Sequence, residues 1–214
     1  MKSLSVLLNT DEGQRQRLGA LQLAFAQVCN ALAPVVRDTR CWNRVALHHM
    51  TYKTLRAQFP ALGSQMVCNA IYSVCRASRL VYQGADSPFN VQRWGAKPLP
   101  LLRFANSCPV YFDRHTLSIK GGNLSMYTLD GRMKFSIDLG PGVEAELVQS
   151  RFHEIVLSSR ADGQFQLSFL FNAAESASDD LSVSDPAPAL EKSVQASGEL
   201  PEYLLLENLN DQSL

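Results

Sequence analysis

Polar and apolar residues alternate along "KSLSVLL" (residues 2–8) and then turn continuously apolar, which predicts a short β-strand. Beyond it the period changes. Leu18, Leu21, Phe25, Val28 and Leu32 recur at spacings of three and four, the stripe of an amphipathic helix. Thr10 is its expected N-cap, Asp11 and Glu12 sit in the first turn where the helix dipole favours negative charge, and Pro34 is its expected stop. Residues 42–59 predict a second helix, ended by Pro60. Residues 63–80 predict a third, with Ser64 as N-cap and Met66, Ala70, Val74 and Ala77 facing inward.

After Leu80 the texture changes. Residues 83–100 hold Gly84, Pro88, Gly95, Pro98 and Pro100, the composition of a connecting loop. From Leu101 the chain alternates with period two. "PVYFD", "TLSIKGG", "NLSMYTL", "GRMKFSIDL", "VEAELVQS", "FHEIVLSSR" and "QFQLSFLF" are separated by the turn signals "KGGN", "LDGR", "GPG" and "ADGQ". Strands this short and close predict a small β-barrel. The expected fold class is α+β: a barrel from residues 1–9 and 101–171, a three-helix insertion at residues 10–82, a connecting loop at 83–100 and a tail at 172–214. Residues 172–199 are rich in Ser, Ala, Asp and Pro, with little to bury, and are expected to be disordered. The segment 201–209 differs. Its Tyr203, Leu204, Leu206 and Leu209 fit either a short acidic-apolar helix on a protein partner or a dangling terminus.

A formal net charge of zero changes the picture only when it is divided. Residues 1–171 carry 19 lysines and arginines against 11 acids, a net of +8, and residues 172–214 carry one lysine against nine acids, a net of −8. A basic body on an acidic tail suggests a polyanion partner, although charge on this scale also occurs as solvated surface. No apolar run approaches the roughly 18 to 20 residues of a membrane span, and the N-terminus turns acidic before a signal sequence is complete. A soluble, cytoplasmic protein is expected. The five cysteines form no CxxC pair, and adjacent His48 and His49 would point about 100° apart on a helix. No metal or cofactor is expected.

"SIDLG" (136–140) raises a nuclease question, because metal-dependent nucleases of the RNase H type present a first carboxylate on such a strand. Two-metal cleavage needs several carboxylates converging on ions about 3.5 to 4 Å apart. After Asp138 the chain offers Glu144, Glu146, Glu154 and Asp162, all within the next hairpins, and then only tail acids. Asp138 therefore reads as structural, and no catalytic residue is expected.

Three stretches carry a family resemblance. "TDEGQRQRLGALQLAFAQVCNALA", "HHMTYKTLRAQFPALGSQMVCNAIYSVCRA" and "FDRHTLSIKGGNLSMYTLDGRMKFSIDLG" are similar, in that order, to segments in the N-terminal half of TnpB. TnpB is the RNA-guided transposon nuclease family related to type V CRISPR effectors. The resemblance covers roughly residues 2–171, places "GRMKFSIDLG" on a barrel strand and leaves out the family's nuclease domain and zinc ribbon. It implies that the barrel is the wedge domain and the helices the recognition lobe. It also implies that the chain is a nuclease-less module holding a guide or structured RNA and target-adjacent duplex DNA inside a larger ribonucleoprotein. The recognition half of a split nuclease and a protein-only DNA-binding regulator are the alternatives.

On that reading the DNA-binding candidates are Tyr52, Lys53, Arg56, Ser64, Gln65, Asn69, Arg76 and Arg79. Gln65 and Asn69 lie four apart on one helical face, placed either to pair with adenine or to act as caps and surface. The RNA-binding candidates are Arg103, Arg114, Lys120, Arg132 and Lys134, with Tyr111 and Tyr127 as stacking faces or as core.

Overall fold

In the computed structural model, which describes residues 2–137, 152–171 and 200–207, Asp11 rather than Thr10 starts the first helix. Its carboxylate accepts the Gln14 amide at 2.7 Å, and the Gln14 side chain accepts the Asp11 amide at 3.0 Å. This capping box satisfies two otherwise orphaned donors, where Thr10 would satisfy one. Helix α1 (Glu12–Thr39) then runs through Pro34 instead of stopping there. The proline forfeits one backbone hydrogen bond, but fully buried Val36 lies beyond it and its packing keeps the last turn helical. Leu18, Leu21, Phe25, Val28 and Leu32 are all fully buried, as their spacing predicts.

Asn43 caps α2 (Arg44–Gln58) by accepting the Ala46 amide at 3.0 Å. Helix α3 (Ser64–Gln83) has Gly63 as its N-cap and no side-chain cap, so Ser64 is an exposed first-turn residue and not the cap. Met66, Ala70, Val74 and Ala77 are buried as expected. The proline-rich connection contains one short helix, α4 (Val91–Trp94), capped by Asn90.

The strands are antiparallel. The opening strand β1 (Lys2–Leu8) pairs with β8 (Phe165–Phe171) along its whole length, from Lys2↔Phe171 to Leu8↔Phe165. With β7 (Phe152–Ser159) and β3 (Val110–Phe112) they form a sheet ordered β1-β8-β7-β3. A second sheet is a meander of β4 (Leu117–Lys120), β5 (Asn123–Thr128) and β6 (Gly131–Ser136). The β4–β5 turn is Gly121-Gly122, with φ of 57° and 69°. Both residues need the left-handed region, which a two-residue hairpin turn of this hand requires.

The third sheet departs from expectation. β2 (Leu101–Phe104) pairs with β9 (Leu204–Glu207), in register from Leu101↔Glu207 to Phe104↔Leu204. Within the segment expected as a docked helix or a dangling end, Leu204–Glu207 is a strand of the chain's own fold, and Leu209 lies outside the described residues. Leu204 is only 4% exposed, so burial of alternate residues wins over helix formation there. The fold is α+β, but among the described residues the strands make three separate sheets and no closed barrel. At Phe104 the Asn30 amide of α1 donates to the carbonyl at 2.9 Å and supplies an acceptor to the N–H at 2.8 Å, tying β2 to the helix. One core joins α1, α3 and the inner faces of the sheets.

By length and mean hydropathy α1 would suffice to cross a membrane, contrary to the sequence reading; half of that window is buried inside the protein, as in a core helix. Asp138, Glu144, Glu146, the expected strand "VEAELVQS" and residues 172–199 lie outside the described residues.

Candidate nucleic-acid interface

Three of the expected contact residues are turned inward, two by α3 and one by β3. Asn69 is buried, and its amide donates to the Tyr111 carbonyl at 3.0 Å, fastening α3 to β3. Arg76 is 11% exposed and lies 2.6 Å from a carboxylate oxygen of Glu154, itself 3% exposed, on β7. The same guanidinium donates to the Tyr111 hydroxyl at 3.2 Å and lies over that ring, and Tyr72 donates to Glu154. Burial pushes the Tyr111 phenol well above its ordinary value and also raises that of Tyr203, which reaches this cluster from the segment leading into β9. Asn69, Arg76 and Tyr111 are thus committed to holding α3, β3 and β7 together. A groove-facing amide, a phosphate-binding arginine and a stacking ring are corrected to internal ties. Four residues separate Gln65 from Asn69, but about 40° of helical rotation over that interval takes Asn69 into the core.

Two of the remaining helix candidates border a cleft of about 450 Å³ between α2 and α3. Gln65 and Arg79 line it together with Asn43, Arg44, His48 and Cys68. Gln65 donates to Asp113 at 2.5 Å, and the same carboxylate accepts the His115 and Thr116 amides, each at 3.0 Å. Asp113 thereby fixes the turn before β4 and keeps its negative charge beside a cleft that Arg44 and Arg79 line. Burial pushes up the half-buried Cys68 thiol, against the pull of nearby Arg44 and Arg56. Tyr52 is half-buried and stacks on His48 with ring centroids 4.7 Å apart. Arg56 donates to the Leu62 carbonyl and so braces the α2–α3 turn. Lys53 and Ser64 are exposed.

The β4–β5–β6 sheet brings four other candidates together. Alternation buries Leu117, Leu124, Met126, Met133 and Phe135 on one side. The other side presents Ser118 and Lys120 from β4, Asn123, Ser125 and Tyr127 from β5, and Arg132, Lys134 and Ser136 from β6. None of these eight outward residues is acidic. The Arg132 guanidinium lies 4.3 Å from the centroid of the Tyr127 ring, which is 43% exposed. It is held there by hydrogen bonds to the Ser125 and His115 carbonyls, each at 3.2 Å. Arg114 is exposed on the turn entering this sheet. Arg17 of α1 fixes the sheet to the helices, donating to Thr128 at 3.0 Å and lying 3.5 Å from Asp130. Arg103 stands apart on β2, 2.8 Å from Glu207.

Sequence reasoning missed Arg44, His48, Tyr72 and Glu154. Arg44 carried a signal, because a cation in the first turn of a helix opposes the dipole and calls for another explanation; it lies over the Tyr72 ring at 5.2 Å. Glu154 carried none, since an acid in "FHEIVLSS" is indistinguishable from an outward strand residue without knowing that it meets Arg76. Among the described residues no cluster of three or more His, Cys, Asp or Glu side chains is disposed to hold a metal ion. Chemically, the cleft and the sheet face can hold phosphate, stack on bases and accept or donate hydrogen bonds. Compared with protein-family models the chain matches none, and compared with curated proteins it matches none.

Proposed function

We propose that the chain is a nuclease-less, TnpB-like nucleic-acid-binding protein that holds a guide or structured RNA and target-adjacent duplex DNA as a subunit of an RNA-guided complex. The observation that carries this reading is the outward face of β4–β5–β6, where Lys120, Tyr127, Arg132 and Lys134 share a surface on which the described strand residues include no carboxylate. Such a face suits a single strand or loop. Its cations pair with phosphates, the small Ser and Asn side chains let the backbone approach, and the Arg132–Tyr127 stack offers a flat surface to an unstacked base. In this reading the sheets that carry β1 and β3–β8 serve as the wedge, without closing into a barrel. The α2–α3 cleft, with Gln65, Arg44 and Arg79, is the surface for duplex DNA, and base pairing by the guide supplies most of the sequence information.

The excess of basic residues over residues 1–171 supports the reading at the scale of the whole body. The test is to purify the full chain from its native cells at low salt and treat the associated nucleic acid with ribonuclease or deoxyribonuclease. A discrete, ribonuclease-sensitive species is expected. Protein free of nucleic acid, or carrying only duplex DNA, contradicts it.

A further inference from the structure

Tyr127 and Arg132 are directly opposed across β5 and β6, and the contacts of Arg132 decide what the pair can do. Its Nη1 donates to the carbonyl and the hydroxyl of Ser125, each at 3.2 Å, and to the Ser118 hydroxyl at 3.4 Å. Its Nη2 donates to the His115 carbonyl at 3.2 Å. A guanidinium grips phosphate through a fork of adjacent N–H groups. Here both terminal nitrogens are engaged by β4, β5 and the turn before β4, so what Arg132 offers a ligand is its plane. That plane lies 4.3 Å from the centroid of the Tyr127 ring, which is 43% exposed, an aromatic surface that folding has not covered. The neighbouring cations lie to one side of the pair. Lys134 is one row of side chains beyond Arg132 on β6, about 7 Å along the strand, and Lys120 is a row further, on β4. Asp130, on the turn at the other end, lies 3.5 Å from Arg17.

We propose that Tyr127 and Arg132 form a seat for one unpaired nucleobase, with Lys134 and Lys120 holding the phosphates beside it, so that this face takes single strands and passes over duplexes. The inference rests on the nucleic-acid-binding reading above and deepens it: Arg132 acts as a stacking and positioning residue, not as a phosphate ligand. The selection follows from access. A base inside a duplex has both faces covered by its neighbours, whereas an unpaired base is free to stack on an aromatic ring or a guanidinium plane. Stacking of this kind is tolerant of base identity, because every base has a π-face. The hydrogen bonds to Ser118, Ser125 and His115 hold the guanidinium against Tyr127 in advance, so little ordering is left to the moment of binding.

The test uses the full chain, an oligouridylate carrying a single fluorescent 2-aminopurine, and a range of salt concentrations. Binding is expected to quench the 2-aminopurine. Tyr127→Ala is expected to weaken binding about fivefold to a hundredfold and to abolish the quench, with the salt slope unchanged, and Tyr127→Phe to restore both. Arg132→Lys, which keeps the charge and loses the plane, is expected to weaken binding about twofold to fivefold at the same slope. Binding to a duplex of equal length should be indifferent to all three substitutions. Two results overturn the seat and leave RNA binding standing. One is unchanged affinity and quench in Tyr127→Ala. The other is an Arg132→Lys that matches the unmodified chain while Arg132→Ala loses about 0.7 from the slope, the mark of a phosphate ligand. Failure of the unmodified chain to bind overturns both.

Discussion

Arg76 and Glu154 form the tie on which the rest of the fold leans. Removing one member of a buried ion pair strands the other charge away from water, which costs about 3 to 5 kcal/mol. Removing Glu154 also takes the acceptor from Tyr72, as removing Arg76 takes the donor from Tyr111. Glu154→Ala is therefore expected to lower unfolding free energy by about that much, whereas Lys134→Ala on the exposed face should change it by less than about 0.5 kcal/mol. Denaturant titration of the two variants checks the contrast. Equal losses would mean that the cluster is not a structural tie. The same comparison guards against a misreading, because an Arg76 substitution that abolishes nucleic-acid binding reports first on folding.

Elements were legible wherever periodicity was strong. The spacing of Leu18, Leu21, Phe25, Val28 and Leu32 defines α1, and "KGGN" marks the β4–β5 hairpin through the two glycines that its turn requires. Ends were less so. Thr10, Pro34 and Ser64 each carry a terminal signal that a neighbour overrides: the Asp11–Gln14 box, the packing of Val36 and the backbone of Gly63. Least legible was β9. "YLLLE" has no period that separates strand from helix in so short a run. Its conformation is decided by β2, about a hundred positions earlier.

β9 also carries an element-scale prediction. Burial raises the Tyr203 phenol above its ordinary value of about 10, with Arg76 and a hydrogen bond to Tyr111 pulling the other way and Cys108 and Glu154 adding to the rise. A group whose folded value is raised contributes stability that is complete below its unfolded value and is lost as pH climbs through the folded one. The docked strand should thus be secure at neutral pH and loosen above about pH 10. Hydrogen exchange is too fast to follow there, so fluorine labelling at Leu205 is the suitable readout. Tyr203→Phe should shift the transition to higher pH. An unchanged transition would place the titrating group elsewhere, with Tyr111 the nearest candidate.

At the scale of the whole molecule, charge was legible in sum but not in place. The basic excess of residues 1–171 is plain from the sequence. Its distribution depends on which cations the fold consumes: Arg76 is buried, Arg56 braces a turn, Arg103 faces Glu207 and Arg17 faces Asp130. Lys120, Arg132 and Lys134 stand together on the exposed face of β4–β5–β6. Asn69 and Tyr111 had the right chemistry for an interface, and only the rotation of α3 and the burial of β3 removed them.

The central claim, that the outward face of β4–β5–β6 grips RNA phosphates, is tested most directly by the salt dependence of oligouridylate binding. Each phosphate contact on a single strand contributes about 0.7 to the slope of log affinity against log salt. The double variant Lys120→Ala/Lys134→Ala should therefore bind more weakly at low salt and lose about 1.4 from that slope, with its thermal unfolding unchanged. A folded double variant with the affinity and slope of the unmodified chain would contradict the account.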